Sequence, residues 1–456
     1  MKKSLITLFA CIISLSIYGQ DIAGQWIGKL SVQGIQLRLV FHITATSNGY
    51  SATMDSPDQG AKGIPVTSVT LQDKALKISI TNAGIEYEGS WNGTDSITGT
   101  FKQSGLTFPL DLSRTDKAEA IVKRPQEPTE PYPYLAEDVA FENTQDGVTL
   151  AGTLTMPETG GKFPAAVLIS GSGAQNRDEE MMGHKPFWIL ADFLTRNGIA
   201  VLRFDDRGVG ASTGDFAAAT SFDFSKDAEA AVKYLQSRKE IDAKKIGLIG
   251  HSEGGVIAPM LAARSGDIGF IVMLAGTGVR GDKVLLSQQE AIGRASDMND
   301  EILKAVLDLN GKAFEIVINN TQPEELRPSL ISLIKEADAN ASDEAIGAQI
   351  NSLLNPWIQY FLKYDPAPAL KKVKCPVLAL NGEKDLQVLP KINLEAIGNA
   401  LSEGGNRNVT LKELPGLNHL FQECTSGLPL EYSSIEQTFS PAALDEILKW
   451  LLQITS

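Results

Sequence analysis

The chain has 456 residues, 43% of them hydrophobic, which suits two or three domains with sizeable cores and excludes a disordered chain. Its formal charge of -14 comes with no basic stripe, so a phosphate backbone would be repelled and nucleic acid is not an expected partner. No run beyond the first residues approaches the roughly 20 apolar positions that a membrane span needs.

The first residues carry Lys2 and Lys3, an apolar run from Leu5 to Tyr18, and the small Gly19 ahead of Gln20 and Asp21. That is the layout of a secretory signal peptide, expected over 1–19, which directs the chain to the periplasm or out of the cell. Leu8-Phe9-Ala10-Cys11 partly matches a lipoprotein box, but apolar residues follow Cys11 and lipidation is not expected. With Cys11 removed, Cys375 and Cys424 remain; two cysteines make no disulfide framework, and two buried thiols are expected.

Residues 20–115 have period two. Ile35, Leu37, Leu39, Phe41 and Ile43 alternate with Gln36, Arg38, Val40, His42 and Thr44, and Leu76, Ile78 and Ile80 alternate with Lys77 and Ser79. Turn signals such as Ser47-Asn48-Gly49 and Asn92-Gly93 separate the runs, so a small antiparallel barrel or sandwich is expected. Its opening, Gly24-Gln25-Trp26-Ile27-Gly28, is similar to the start of a lipocalin-like barrel. Two roles fit: a container for an apolar ligand or glycan, or a module that packs on the next domain. His42 lies on a strand and is expected to face solvent. A linker follows over 116–136, where Lys123 to Pro133 is proline-rich, charged and extended.

From 137 onward the rhythm changes. Strands are expected around Val139–Glu142, Thr149–Met156, Ala165–Ile169, Ile199–Phe204, Lys245–Ile249, Ile268–Leu274, Pro376–Leu380 and Val409–Leu414. Helices are expected at Phe187–Leu194, Asp227–Leu235 and Pro441–Leu452, the last capped by Ser440. Such alternation implies an α/β domain with a mostly parallel sheet and helices on both faces. Between about 276 and 365 only helical spacing remains, as in Glu301–Leu309, Leu330–Glu336 and Trp357–Tyr364. An all-helical insertion between two strands reads as a cap over the sheet's carboxyl edge.

Two segments fit the pattern G-x-S-x-G: Gly210 to Gly214 around Ser212, and Gly250 to Gly254 around Ser252. A nucleophile in this pattern sits in a strained turn from buried strand to helix, with tiny neighbours because the two elements pass close together. Ile246-Gly247-Leu248-Ile249 and Val256–Ala263 supply that strand and helix for Ser252, whereas Ser212 is followed by a polar loop, Asp215 to Thr220. A serine hydroxyl needs a base. Of the histidines, His251 adjoins Ser252 with its side chain diverging, and His184 precedes the nucleophile against the expected order of serine, acid, histidine. His419, in a loop after a late strand, remains. The acid is expected in the loop Asn381-Gly382-Glu383-Lys384-Asp385; Glu383 and Asp385 both carry the charge, and reach past the turn favours Asp385. Charge developing on an attacked carbonyl calls for backbone donors, assigned to the amides of Glu253 and of Ser172 in the glycine-rich loop 170–173. The Glu253 side chain is read as complementing a helix dipole or touching substrate.

Three motifs together carry a resemblance: Ser170-Gly171-Ser172-Gly173 with Gln175-Asn176-Arg177-Asp178, then Asp205-Asp206-Arg207-Gly208-Val209-Gly210-Ala211-Ser212, then Gly250-His251-Ser252-Glu253-Gly254-Gly255. From about Tyr132 to the end the chain resembles the α/β-hydrolase superfamily, in particular exported bacterial serine esterases, with dienelactone-hydrolase-like and prolyl-aminopeptidase-like serine hydrolases as relatives. The resemblance implies hydrolysis of a small carboxylic ester through an acyl-enzyme, and a structural role for the Asp-x-Arg-Gly-x-Gly loop that sets Ser212 aside. Related caps serve aminopeptidases and thioesterases. A peptidase would need acids to hold a substrate ammonium, with Glu324, Glu325 and Glu336 as candidates. A binding protein with a vestigial hydrolase half is a further reading, opposed by the full set of Ser252, Asp385 and His419. No His-Glu-x-x-His or cysteine cluster offers a metal site, and Gly171-Ser172-Gly173 lacks the third glycine of a dinucleotide loop, so no cofactor is expected.

Overall fold

The computed structural model describes residues 21–32, 35–47, 49–57, 61–103, 106–114, 124–320, 323–339 and 341–456. The expected signal segment at 1–19 and residues 116–123 of the expected linker lie outside the described residues.

Ten strands form the first unit: β1 (Gly24–Val32), β2 (Ile35–Thr46), β3 (Gly49–Ser56), β4 (Ala61–Pro65), β5 (Ser68–Gln72), β6 (Ala75–Ile80), β7 (Ile85–Trp91), β8 (Ser96–Gln103), β9 (Leu106–Pro109) and β10 (Leu112–Arg114). Eight of them close into an antiparallel barrel, because β10 bonds to both β1 and β8; β4 and β9 pair outside this ring with β3 and β8. Closure leaves the ring without a free edge. The period-two pattern is the inward and outward alternation of these strands. Leu76, Ile78 and Ile80 are buried, while Lys77 points outward to bond Glu88 of the neighbouring strand at 2.8 Å. Trp26, Phe41, Tyr87 and Phe101 are buried and form part of the apolar core of this unit. His42, expected to face solvent, is half-buried and bonds Asp55 at 2.8 Å.

The second unit is an eight-stranded mixed sheet. In spatial order its strands are β11 (Leu135–Asn143), β12 (Val148–Met156), β14 (Ala200–Phe204), β13 (Phe163–Ile169), β15 (Ile241–His251), β16 (Ile271–Leu274), β17 (Val377–Gly382) and β18 (Val409–Leu414). The β11/β12 and β12/β14 pairs are antiparallel and every later pair is parallel. Helices α1 (Pro186–Arg196) and α11 (Pro441–Thr455) cover one face against Leu168, Ile249 and Val272. Helices α2 (Ser221–Ser237), α3 (Gly254–Ala262) and α10 (Pro390–Glu403) cover the other against Val167, Leu248 and Met273. Strands buried on both faces read as continuous apolar runs, which is why their alternation vanishes from the sequence.

Between β16 and β17 lie α4 (Gly281–Ala295), α5 (Asp300–Asn319), α6 (Pro323–Ala337), α7 (Asp343–Leu353) and α8 (Pro356–Lys363), and the short α9 (Ala367–Leu370) leads back to the sheet. Phe314, Leu330, Ile350 and Leu362 give this helical insertion an apolar core of its own. Beside it is a cavity of about 400 Å³ lined by Leu285, Phe314, Leu353 and Ile358 among others. Among the described residues no helix is long and apolar enough to cross a membrane.

Several expected elements differ in extent, among them β11 and β15, which each begin four residues early, and α5, which runs on to Asn319; for α2 and β16 the cause is visible. Helix α2 starts at Ser221 rather than Asp227, because the Asp223 carboxylate accepts from both the backbone N–H and the hydroxyl of Thr220 and so fixes the first turn. Strand β16 starts at Ile271 rather than Ile268; Phe270, just before it, packs its ring over Gly247, where a Cβ would stand 2.2 Å from the ring. Cys375 and Cys424 are unpaired, and both are half-buried rather than buried. Burial pushes the Cys375 thiol up to about 11.

Candidate active site

Ser252 stands between β15 and α3 with φ at +51°, a left-handed conformation that costs a non-glycine residue energy and marks a functional turn when its surroundings hold it. They do hold it: the Ser252 N–H donates to the Leu274 carbonyl at 2.8 Å. The glycines around it are sterically obligatory. A Cβ on Gly250 would lie 2.0 Å from the Gly254 carbonyl oxygen, and one on Gly254 would lie 2.0 Å from that of Ile169. The alternative serine has a different environment. Ser212 is buried, its hydroxyl donating to the Asp205 carbonyl at 2.8 Å and accepting from the Ala151 N–H at 2.9 Å. Ser212→Ala is therefore expected to lower stability by about 1–3 kcal/mol, the cost of an unpaired buried amide, while leaving turnover intact; urea unfolding beside a turnover assay checks both.

His419 and Asp385 come together. The loop after β17 brings Asp385 to 1% exposure, with its Oδ1 accepting from the N–H groups of Gln387 and Val388 at 2.8 Å each. Its Oδ2 accepts from His419 Nδ1 at 2.8 Å. A carboxylate oxygen accepts, so Nδ1 carries the proton and the lone pair of the ring lies on Nε2. Asn418 shapes the His419 loop by accepting from the N–H groups of Leu420 and Gln422 at 3.0 Å each. Glu383, the other acid that the sequence left open, is exposed and accepts from the Gly416 N–H at 2.8 Å, steadying the same loop from outside. The Ser252 hydroxyl makes no hydrogen bond to His419, nor to any other described residue.

The two assigned oxyanion donors, the backbone N–H groups of Ser172 and Glu253, also donate no hydrogen bond among the described residues. Gly171, one residue earlier, is spent: its N–H donates to Glu179 Oε1 at 2.6 Å. Glu253 departs from the sequence reading. Its side chain is 4% exposed rather than set out along a helix dipole, and Oε1 accepts from the Ser221 hydroxyl at 2.5 Å and from the indole N–H of Trp357, on cap helix α8, at 2.7 Å. Burial raises the pKa of its carboxyl above the ordinary range against the pull of those two donors.

Both ring nitrogens of His251 are engaged away from the Ser252 hydroxyl, facing Glu179 Oε1 at 2.9 Å and the His419 carbonyl at 3.0 Å. His184 is fully buried between Thr438 and the Tyr432 carbonyl, and burial pushes it down to about 4. Glu325 and Glu336 on α6 are exposed, and the side chain of Glu324 lies outside the described residues. Three participants escaped sequence reasoning: Glu179, Asp206 and Trp357. Asp206 bonds the Ser170 hydroxyl at 2.8 Å and the Gln175 N–H at 2.9 Å, and burial pushes it up to about 8. A pattern gives no warning of such groups; the one available signal was the acidic run Asp178-Glu179-Glu180 so close to the glycine loop.

The sheet order, the helical insertion and the elbow define an α/β hydrolase. A family model described as serine aminopeptidase, S33, matches residues 187–423, more than half of the chain and a span that includes the elbow, the insertion, Asp385 and His419; the chain belongs to this family and is a hydrolase. Esterase EstD of Thermotoga maritima is 26% identical over 367 residues, covering 78% of this chain and 79% of that protein. The uncharacterised protein Rv2307c of Mycobacterium tuberculosis is 32% identical over 127 residues, 28% of this chain and 41% of its own length. Among solved structures, the Pyrococcus furiosus esterase Pf2001 aligns over 75% of this chain and 100% of its own at 17% identity and a TM-score of 0.44. Est1E of Butyrivibrio proteoclasticus with ferulic acid bound aligns over 70% and 99% at 19% identity and a TM-score of 0.43.

Proposed function

We propose that this hydrolase cleaves carboxylic esters through an acyl-enzyme. Ser252 Oγ attacks the ester carbonyl carbon as His419 Nε2 takes the hydroxyl proton. The oxyanion accepts from the N–H groups of Ser172 and Glu253. His419 then returns the proton to the departing alkoxide, and water, activated by the same nitrogen, attacks the acyl carbonyl and releases the acid. Asp385 holds the imidazole in the tautomer that leaves Nε2 free and stabilises the imidazolium. The observation that carries this reading is the His419–Asp385 bond of 2.8 Å, made by loops after two parallel strands, β17 and β18, of the sheet whose β15 ends at the Ser252 turn.

Similarity to esterase EstD along most of both chains favours an ester over a peptide bond. The family's description keeps a second reading alive, an aminopeptidase on the same three residues. Against it, Glu253, the acid beside the nucleophile, has its Oε1 already taken by two donors, and burial disfavours its charge, so it is poorly suited to hold an ammonium. A panel of acyl nitrophenyl esters and aminoacyl nitroanilides decides: ester turnover well above anilide turnover is expected, and anilide turnover without ester turnover would overturn the proposal.

A further inference from the structure

We infer that Glu179 and His251 form a buried positioning pair that fixes the oxyanion loop, the nucleophile turn and His419 relative to one another; this rests on the roles proposed above for Ser252, Ser172 and His419. Glu179, in the loop after β13, is 2% exposed and adopts φ of +50°, so an acidic side chain is held inside the protein from a strained backbone position. Its Oε1 receives two donors, the Gly171 N–H at 2.6 Å and His251 Nδ1 at 2.9 Å. Gly171 precedes the amide assigned to the oxyanion, and His251 precedes the nucleophile. The other ring nitrogen of His251 meets the His419 backbone carbonyl at 3.0 Å, and the two imidazoles lie 4.8 Å apart. Three loops that carry reacting groups thus converge on one carboxylate and one ring.

The proton inventory follows from the partners. A carbonyl oxygen only accepts, so His251 Nε2 carries a proton. On the Nδ1 side the acceptor is a carboxylate oxygen that already takes a backbone N–H, which favours the ionic arrangement of imidazolium and carboxylate. Burial pushes the His251 pKa down, but the Glu179 charge and hydrogen bond, helped by the His419 carbonyl and the more distant Asp385, outweigh it and raise it above the ordinary value. The titratable groups facing this ring are therefore Glu179, Asp385 and His419, with the Asp206 carboxyl near enough to Glu179 to feel its charge. A raised histidine pKa means that protonation of His251 contributes stability below the ordinary histidine range and that this contribution is lost as pH rises through the raised value.

Glu179→Gln in the full chain tests the role, because the amide oxygen can still accept from Gly171 while the charge that holds the imidazolium is gone. On a nitrophenyl ester, kcat is expected to fall roughly 10- to 100-fold with KM changed by less than about twofold. The high-pH limb of the kcat profile should move to lower pH, since His251 would shed its proton sooner. Glu179→Gln combined with His251→Gln should fall no further than the worse single variant. A folded Glu179→Gln with wild-type kcat and pH profile would overturn the inference. If Glu179→Gln does not fold, His251→Gln carries the same kcat readout, and wild-type turnover there overturns it equally. Ser252→Ala, measured alongside, separates the two readings: turnover that survives in it overturns the nucleophile, whereas an inactive Ser252→Ala beside an unaltered Glu179→Gln overturns only the positioning role.

Discussion

Ser252→Ala is expected to lower kcat by about 10⁶-fold while the protein remains folded, the scale on which losing a serine nucleophile acts when base and acid work only through it. The fold should tolerate the change, because the hydroxyl makes no hydrogen bond among the described residues and the turn is held instead by the Ser252 N–H on the Leu274 carbonyl and by close-packed glycines. The left-handed φ of +51° is no worse for alanine than for serine. Residual turnover, from the two amides and the bound geometry, should exceed that of water. Steady-state kinetics beside a thermal melt checks both halves, and a kcat within tenfold of wild type would remove Ser252 from the mechanism.

Asp385→Asn is expected to cost about 10⁴-fold in kcat with little loss of structure. The reason lies in what pins the side chain. Oδ1 accepts from two backbone N–H groups at 2.8 Å, so the amide oxygen of an asparagine must take that position and its NH₂ must turn toward His419. An NH₂ donates, which forces Nδ1 to accept and moves the ring proton to Nε2, where it blocks removal of the Ser252 proton. Asn381 Nδ2, which donates to Oδ2 at 3.3 Å, would also face a donor. The variant should still bind ester, so kcat should fall far more than KM rises. An Asp385→Asn enzyme within tenfold of wild type would show that the acid lies elsewhere, with Glu383 next to be tested.

What the sequence made legible was local. Tiny residues at 250, 254 and 255 are demanded by contacts between neighbouring segments, so a strand and helix on either side of Ser252 revealed the turn. His419 emerged by elimination among four histidines, and Asp385 over Glu383 by reach. The barrel was readable because inward and outward positions alternate strictly, as at Leu76 to Ile80. The rest depends on distant parts of the chain meeting. The buried Glu253 carboxyl accepts from the indole N–H of Trp357, 104 positions away, and nothing near Glu253 foretells that. Glu179 reaches His251 across 72 positions and His251 reaches the His419 carbonyl across 168. Helix α2 began six residues early for a local reason that composition hid, since Thr220 read as the end of a polar loop until its hydrogen bonds to Asp223 close the first turn.

The most direct test of the whole account is a fluorophosphonate ester followed by peptide mass mapping, because the reagent reports a serine that is activated and within reach of its base. One phosphonyl adduct on the peptide bearing Ser252 is expected, absent from Ser252→Ala and retained in Ser212→Ala. An adduct on a different serine, or none on a folded protein that still hydrolyses esters, would contradict it.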